Sequence, residues 1–552
     1  MRGSARQFCI DLAFVFAISV ACYAPVLILG VPTGTSDLQH HISIANAYYD
    51  SFGRGHLISD WIFYENNGYG AVTTRFYPPL AHITLAFFQI LVSEWQIAIF
   101  AAFALWSFVG SLGVYLWVND LFGSRRASLA AAAIFAIAPY HVNQFYHSFM
   151  WAKFVALSVM PFCFLFLRRL MREPGIAGAL AFGTSLAFLI LSNIPQTLVA
   201  VISLGVYGLS LVKRETTVRS TVLAIGAGIL SLCLTSFFWV RLTFEIDWLK
   251  IAQPNTDPWY DFRNNFLLMT FGYDDHYLWF ANLILMLSLT ILVAVLFASG
   301  SVRTFLASRD QIAVLIVFLL SIMLMTMVSR PIWEYIPALQ RIQFPWRFLS
   351  VMSVCFSVLF GYFAAFISRE SWHSRRPAVL IVLGSALILV TFTIKQDILA
   401  AQFVGSRTFD SSVAIWKGSI GLDHWHPVWV RTSTFSSTEK VSGMQGREYS
   451  IQQWDEDGRK IAIGPGEHST ARMGILYYPH WSVSINGTPV PTSEVNGALA
   501  FDVPSSAANI GLEFVEPAYS LNSRKLSLAA WILLLFAVAF VGFKKNRKEM
   551  PA

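Results

Sequence analysis

Ile97–Val118 reads IAIFAAFALWSFVGSLGVYLWV, 22 residues without a single charge. At 1.5 Å per residue a helix of that length reaches about 33 Å, enough for the roughly 30 Å hydrocarbon core of a bilayer. Similar runs recur on both sides of it: Ile10–Gly30, Pro79–Val92, Ala127–Pro139, Trp151–Leu167, Ile176–Leu191, Pro195–Val212, Thr221–Val240, Leu278–Ala298, Ile312–Val328, Phe348–Ile367, Ala378–Ile394 and Leu526–Phe543. Composition agrees. Of 552 residues, 55% are hydrophobic and 13% charged, about half the usual charged share of a soluble domain. The main solvent of this chain is lipid.

Its net charge of +7 does not point to nucleic acid, because the basic residues sit in short clusters between apolar runs, as the positive-inside bias produces. The clusters also order the runs. If all 13 crossed, Arg125/Arg126 and Arg168/Arg169/Arg172 would face outward. Pro79–Val92 is short and opens just after Pro78. Laid along the outer interface, it brings Arg2/Arg6, Arg125/Arg126, Arg168/Arg169/Arg172, Lys213/Arg214/Arg219, Arg303/Arg309, Arg369/Arg375/Arg376 and Lys544/Lys545/Arg547/Lys548 to the cytoplasm. Ala127–Pro139 is equally short, so charge and not length decides. The expectation is a mostly α polytopic protein of the plasma (inner) membrane, with about 12 spans and both termini cytoplasmic. Val31–Gln96, Tyr140–Met150, Arg241–Tyr277 and Ser329–Arg347 then face outward. Ile10–Gly30 is too long for a typical signal-peptide core and reads as a retained first helix. The five cysteines lie in or beside apolar runs, which indicates neither a disulfide framework nor a zinc site.

Three units are expected: a transmembrane domain over 1–395, a water-facing domain over 396–523, and a last helix with a basic tail over 524–552. Gln396–Ser523 is rich in Ser, Thr and Gly. Arg447–Gln453 and Lys460–Gly464 flank Asp457-Gly458, and Trp481–Ile485 meets Thr488–Val490 across Asn486-Gly487, both strong hairpin signals. With Ala498–Val503 and Ile510–Val515 they predict a small extracytoplasmic β-sandwich whose Trp481 and Tyr477/Tyr478 pack a core. The Asn486-Gly487-Thr488 sequon is sufficiently explained as a turn.

The first outer segment carries the chemistry. Residues 35–82 read TSDLQHHISIANAYYDSFGRGHLISDWIFYENNGYGAVTTRFYPPLAH. Asp37 and His41 share a face of a short amphipathic helix, and so do His40 and Ile44. A carboxylate beside histidines at the membrane surface is suited to taking a proton from a hydroxyl or to helping hold a divalent cation. It is equally placed to cap the helix, and on the residues alone both roles stand. Arg75 reaches headgroup level, where it meets a phosphate or anchors the segment at the interface. Tyr77-Pro78-Pro79 gives an extended entry to the next run.

The acid after the first helix, the Gly68-Tyr69-Gly70 loop and Tyr77-Pro78-Pro79-Leu80 resemble the GT-C class of membrane glycosyltransferases. More closely, they are similar to the bacterial membrane proteins described as 6-pyruvoyl-tetrahydropterin synthase-related and to the YfhO-type proteins. Gln340-Arg341-Ile342-Gln343-Phe344-Pro345-Trp346-Arg347, Tyr478-Pro479-His480-Trp481 and Ile485-Asn486-Gly487 add to the likeness. The resemblance implies an inverting sugar transfer from a polyprenyl-phosphate donor to an envelope glycan or protein, with Asp37 as general base. It implies substrate contacts from His40, His41, Arg75, Tyr77, His141, Arg341 and Arg347, with Arg330 less well placed, and membrane lipids as partners. No zinc-binding histidine set of a soluble pterin synthase is evident. One departure stands out. After Pro139-Tyr140-His141 no acid follows, and His147 and Lys153 stand there instead. That weakens a metal-dependent version and leaves the member's catalytic competence open. Asp274-Asp275-His276 reads as a solvated loop rather than a cation site. The rival to a transferase is a non-catalytic membrane protein that binds or assembles an envelope polymer. A transporter fits less well, because the spans carry few ionisable residues and no repeat is obvious.

Overall fold

The computed structural model describes residues 2–35, 37–213, 215–253, 257–268, 276–299, 301–367, 401–444, 446–456 and 458–549, with single helical positions between 376 and 395. Among them, 8 helices are long and apolar enough to cross a bilayer: Arg6–Leu29, Trp95–Phe122, Trp151–Arg172, Ile194–Leu211, Thr217–Leu234, Leu278–Ser299, Pro345–Ala365 and Ala518–Gly542. Three more apolar runs form shorter helices, Arg125–Ile137, Ile176–Ile190 and Arg309–Met325. More than half of the Ala378–Ile394 run falls outside the described residues. The chain is therefore a membrane protein of many apolar helices, with 8 of the 12 expected spans meeting the length and hydropathy required.

Ion pairs mark one end of the bundle. Asp11 binds Arg125 at 2.6 Å, Asp120 binds Arg169 at 2.9 Å, and Asp310 binds Arg168 at 2.6 Å. They join the start of the first helix, the turn after Phe122, the end of Trp151–Arg172 and the start of Arg309–Met325. The basic clusters Arg125 and Arg168/Arg169/Arg172 thus converge. Leu80–Val92 belongs to the opposite end. The Leu80 N–H donates to the Leu191 carbonyl at 2.9 Å, and Gln96, just past the helix, donates to the Val26 carbonyl at 2.8 Å. Both its ends are held there, and its 13 residues span only about 20 Å.

Small residues set the tightest packing. Arg125–Ile137 lies against Leu349–Ala365, where a Cβ on Gly361 would stand 2.5 Å from the Ala127 carbonyl oxygen. Close backbone approach of this kind is how helices associate in a solvent as apolar as their own side chains.

The C-terminal region forms a sandwich of two antiparallel sheets. One has four strands in the order Val441–Ser442, Ser469–Leu476, Ala498–Val503, Ser493–Val495. The other has five, in the order Tyr449–Trp454, Arg459–Ile463, Ala508–Phe514, Trp481–Ile485, Thr488–Val490. Asn486-Gly487 turns at φ 51° and 80°, the left-handed pair of a type I′ hairpin. The Asn486 side chain accepts the Asn509 N–H at 2.8 Å, so it serves the turn. Trp481 and Tyr478 are buried in the core. Asp457 lies outside the described residues.

The sandwich is not a separate body. Its core cluster takes in Trp61, Tyr69, Val72 and Phe76 from the first loop. The Ser406–Trp416 helix sends Phe409 and Val413 into the cluster formed by the first helices. Val31–Pro32 pairs with Phe403–Val404, and Gly30, at φ 103°, leaves no room there for a Cβ, which would run into the Val404 carbonyl.

Candidate active site

Asp37 opens the Leu38–Gly53 helix. It occupies the capping position, yet its side chain makes no capping hydrogen bond. Its backbone is fastened instead, the N–H donating to the Ser148 carbonyl at 3.3 Å and the carbonyl accepting from His41 at 3.1 Å. The carboxylate acts on Tyr77, Lys153 and Tyr260. Burial and then the Asp37 charge raise the Tyr77 phenol above its ordinary value.

Lys153 is buried at the head of Trp151–Arg172, its ammonium 4.7 Å from the Trp346 ring and 5.1 Å from the Tyr140 ring. It interacts electrostatically with Asp37 and Arg347. Arg347 lies in the Pro345–Phe348 turn, where it donates to the Ile342 carbonyl at 2.6 Å and to Gln343 at 3.3 Å. Lys153 and Tyr77 therefore each lie within electrostatic reach of both the Asp37 carboxylate and the Arg347 guanidinium, at the end of the bundle opposite the Asp11–Arg125 pair. Arg341 stands exposed one turn before Arg347.

Histidines line one wall. His41 and His82 are hydrogen-bonded at 3.0 Å, and the Tyr77 ring lies 5.3 Å from His40 and 5.7 Å from His41. Burial, with His82 and His424 beside it, pushes His40 down to about 3, and burial and His82 hold His41 far below its ordinary value. Both are neutral at pH 7, so the permanent positive charge at this site is the Arg347 guanidinium. Among the described residues no three His, Cys, Asp or Glu side chains converge as a metal site. Asp274 and Asp275 lie outside the described residues.

Two of the expected contact residues are buried among other groups. Arg75 is the first. It is fully buried, donates to Glu245 through Nε at 2.9 Å and Nη2 at 2.6 Å, and pairs also with Glu516. Two carboxylates already satisfy its guanidinium, so no phosphate is needed to explain it. Around it Asp60 pairs with Arg241 at 2.7 Å and Arg524 at 2.6 Å, and Tyr478 and Tyr519 donate to Glu245 at 2.6 and 2.9 Å. This network binds the first loop, the Ser236–Glu245 helix, the sandwich and the last helix together. His141 is buried with its ring 3.9 Å from Phe135 and is pushed down to about 3 by burial. Its ring lies 6.3 Å from that of Tyr140, which Lys153 faces.

The model of the 6-pyruvoyl-tetrahydropterin synthase-related domain, described as a membrane protein, matches residues 74–399, more than half of the chain. The chain belongs to that family. In this pterin-synthase-related membrane protein the matched part carries Tyr77, Lys153 and Arg347, whereas Asp37, His40 and His41 precede it. No curated protein matches the chain. Three solved structures are similar to it. Arabinofuranosyltransferase AftD from Mycobacteria is 16% identical, TM-score 0.47, over 71% of this chain and 27% of that one. ArnT from Cupriavidus metallidurans, bound to undecaprenyl phosphate, is 15% identical, TM-score 0.41, over 75% of this chain and 71% of that one. The oligosaccharyltransferase AglB from Archaeoglobus fulgidus, with an inhibitory peptide and a dolichol phosphate, is 13% identical, TM-score 0.37, over 76% of this chain and 60% of that one. The chain thus spans about a quarter of the length of the first.

In this family member the sequence pointed to Asp37, Tyr77 and Arg347, but not to Lys153 as their partner. Its signal was a single ammonium at the very start of a long apolar run, where a cation is costly unless it faces a polar site. The 418–427 segment, which approaches His40 from more than 370 positions away, carried no local signal at all.

Proposed function

We propose that this protein is a GT-C-type glycosyltransferase that moves a sugar from a polyprenyl-phosphate-linked donor to an envelope glycan or protein, with inversion and with Asp37 as general base. The observation that carries the reading is that Lys153 and Tyr77 each interact electrostatically with both Asp37 and Arg347. The acceptor hydroxyl oxygen attacks the anomeric carbon as its proton passes to the Asp37 carboxylate. The bond from that carbon to the phosphate oxygen breaks, and the lipid phosphate leaves with one more negative charge. Arg347 and Lys153 are placed to stabilise that charge as it develops. With the basic clusters in the cytoplasm, this end of the bundle and the sandwich face the outside, as about 12 spans with both termini inside require. Asp37→Asn should lower transfer roughly 10²–10⁴-fold, the usual worth of a positioned base. The test is envelope glycan composition, by mass spectrometry, in cells whose own copy is replaced by the variant. A wild-type glycan profile at equal membrane abundance refutes the assignment.

A second reading, a non-catalytic protein that helps assemble an envelope polymer, is favoured by the absence of an acid after Pro139-Tyr140-His141. Removing residues 396–523 does not discriminate, because the deletion would expose the core shared with Trp61 and Tyr69. Asp37→Asn does: it leaves an assembly protein working.

A further inference from the structure

The 418–427 segment crosses the start of the Leu38–Gly53 helix and is fastened on both flanks. On one side the Asn66 N–H donates to the Ser419 carbonyl and the Asn67 N–H to the Gly418 carbonyl, both at 3.0 Å. Asn66 Oδ1 accepts the Gly421 N–H at 2.9 Å and lies 3.0 Å from His426 Nε2. Asn66 and Asn67 reach these partners with φ of 58° and 57°, a conformation asparagine tolerates better than most residues. Gln39 donates to the Ser419 hydroxyl at 3.0 Å. On the other side the Lys250 N–H donates to the His426 carbonyl at 3.0 Å, its ammonium pairs with Asp423 at 2.6 Å, and Leu249 bridges Pro427.

So much fastening makes a fixed support, and what it presents is an aromatic face. Trp425 is half-buried, lies parallel to the His40 ring within 9° at 6.2 Å, and stands 5.5 Å from the Tyr77 ring. Tyr77 feels the Asp37 charge. His40 Nε2 is buried without a hydrogen-bond partner. A partly open indole, a phenol and an unsatisfied imidazole nitrogen beside a carboxylate suit a ligand with an apolar face and polar edges. A sugar ring has that form: its C–H face packs on the electron-rich indole face, and its hydroxyls turn to polar groups at the rim. A cationic ligand does not fit, since Lys153 and Arg347 already stand at the same site.

We infer that Trp425, with Tyr77 and His40, forms a carbohydrate subsite beside Asp37, roofed by a segment from the C-terminal region. This rests on the proposed glycosyl transfer and adds which residues hold a sugar ring. The ring can belong to the lipid-linked donor or to an acceptor glycan, and two arms separate them. Full-length protein in nanodiscs is titrated with undecaprenyl phosphate and undecaprenyl-phosphate glucose by native mass spectrometry, and applied to an array of bacterial glycans. Trp425→Phe, which keeps an aromatic face, and Trp425→Leu, which keeps only the apolarity, are compared with wild type. The expected result is that Trp425→Leu weakens sugar-dependent binding about tenfold, Trp425→Phe retains most of it, and both bind bare undecaprenyl phosphate like wild type. A loss on the glucose-bearing lipid assigns the subsite to the donor, and a loss on the array assigns it to the acceptor. Equal sugar binding by the Phe and Leu variants, or no sugar binding by wild type in either arm, overturns the inference. Failure of wild type to bind the bare lipid phosphate instead strikes the transferase reading itself.

Discussion

Replacing Glu245 by alanine should detach the sandwich from the membrane helices. Glu245 is fully buried and accepts from Arg75 at 2.6 and 2.9 Å, from Tyr478 at 2.6 Å and from Tyr519 at 2.9 Å, with His480 at 3.2 Å. Without it Arg75 keeps only Glu516 as a close partner, and the buried Tyr478 hydroxyl has no acceptor. Breaking a buried ion pair by removing one partner costs about 3–5 kcal/mol, because an uncompensated charge stays in a poor solvent. At 1.4 kcal/mol per decade, the interface should open roughly 10²–10³·⁵ times more often. Hydrogen exchange in nanodiscs, read on peptides covering Tyr477–Ile485 and Ala508–Phe514, measures this directly, while peptides from the Trp151–Arg172 helix should hardly change. The pH dependence has a definite sign. Burial would lift the Glu245 carboxyl, but hydrogen bonds from His480 and Arg75 hold it well below its ordinary value of 4.5. Its stabilising contribution is therefore complete above about pH 4.5 and drains away as pH falls below that value. Sandwich protection in Glu245→Ala within threefold of wild type would refute the reasoning.

Lys153→Met and Arg347→Gln should each weaken binding of undecaprenyl phosphate by about 10- to 100-fold, the worth of a charge-assisted hydrogen bond; native mass spectrometry with bare lipid phosphate tests this, and unchanged affinity in both counts against a phosphate role. His41 and His141 are buried and neutral, with ordinary values of 6.5 when exposed. The unfolded chain therefore binds more protons below pH 6.5, and each residue should subtract up to about 1.4 kcal/mol per pH unit as pH falls from there; a midpoint of thermal unfolding unchanged between pH 7 and 5.5 contradicts it. Gly361→Leu should destabilise by about 1–3 kcal/mol or more through overpacking against Ala127 and Ala131, visible as earlier aggregation on heating in detergent.

The long helices were legible because a bilayer demands one simple thing of them, an unbroken apolar length. Six sandwich strands were legible for a similar reason, since alternation and Asn-Gly turns are local. Ser469–Leu476 was missed although it lies inside its sheet, because Ser469-Thr470-Ala471-Arg472 shows no clean alternation before Met473. The partners of Arg75 were not legible, for a physical reason too. An isolated arginine near an interface looks like an anion receptor until its counter-charges are known, and these come from Glu245 and Glu516, 170 and 441 positions away. Trp425 was unreadable on the same ground: a site built from several distant loops has no contiguous signature.

The Asp60–Arg524 pair joins residues 464 positions apart, and this has a consequence for biogenesis. A ribosome adding about 5–20 residues per second needs on the order of 20 to 90 seconds to travel from one to the other. Through that interval the Asp60 carboxylate of the early loop is without its Arg524 partner, until the Ala518–Glu549 helix is made. A chain stopped before Arg524 therefore has its bundle helices but lacks one arm of the network that ties the first loop to the sandwich.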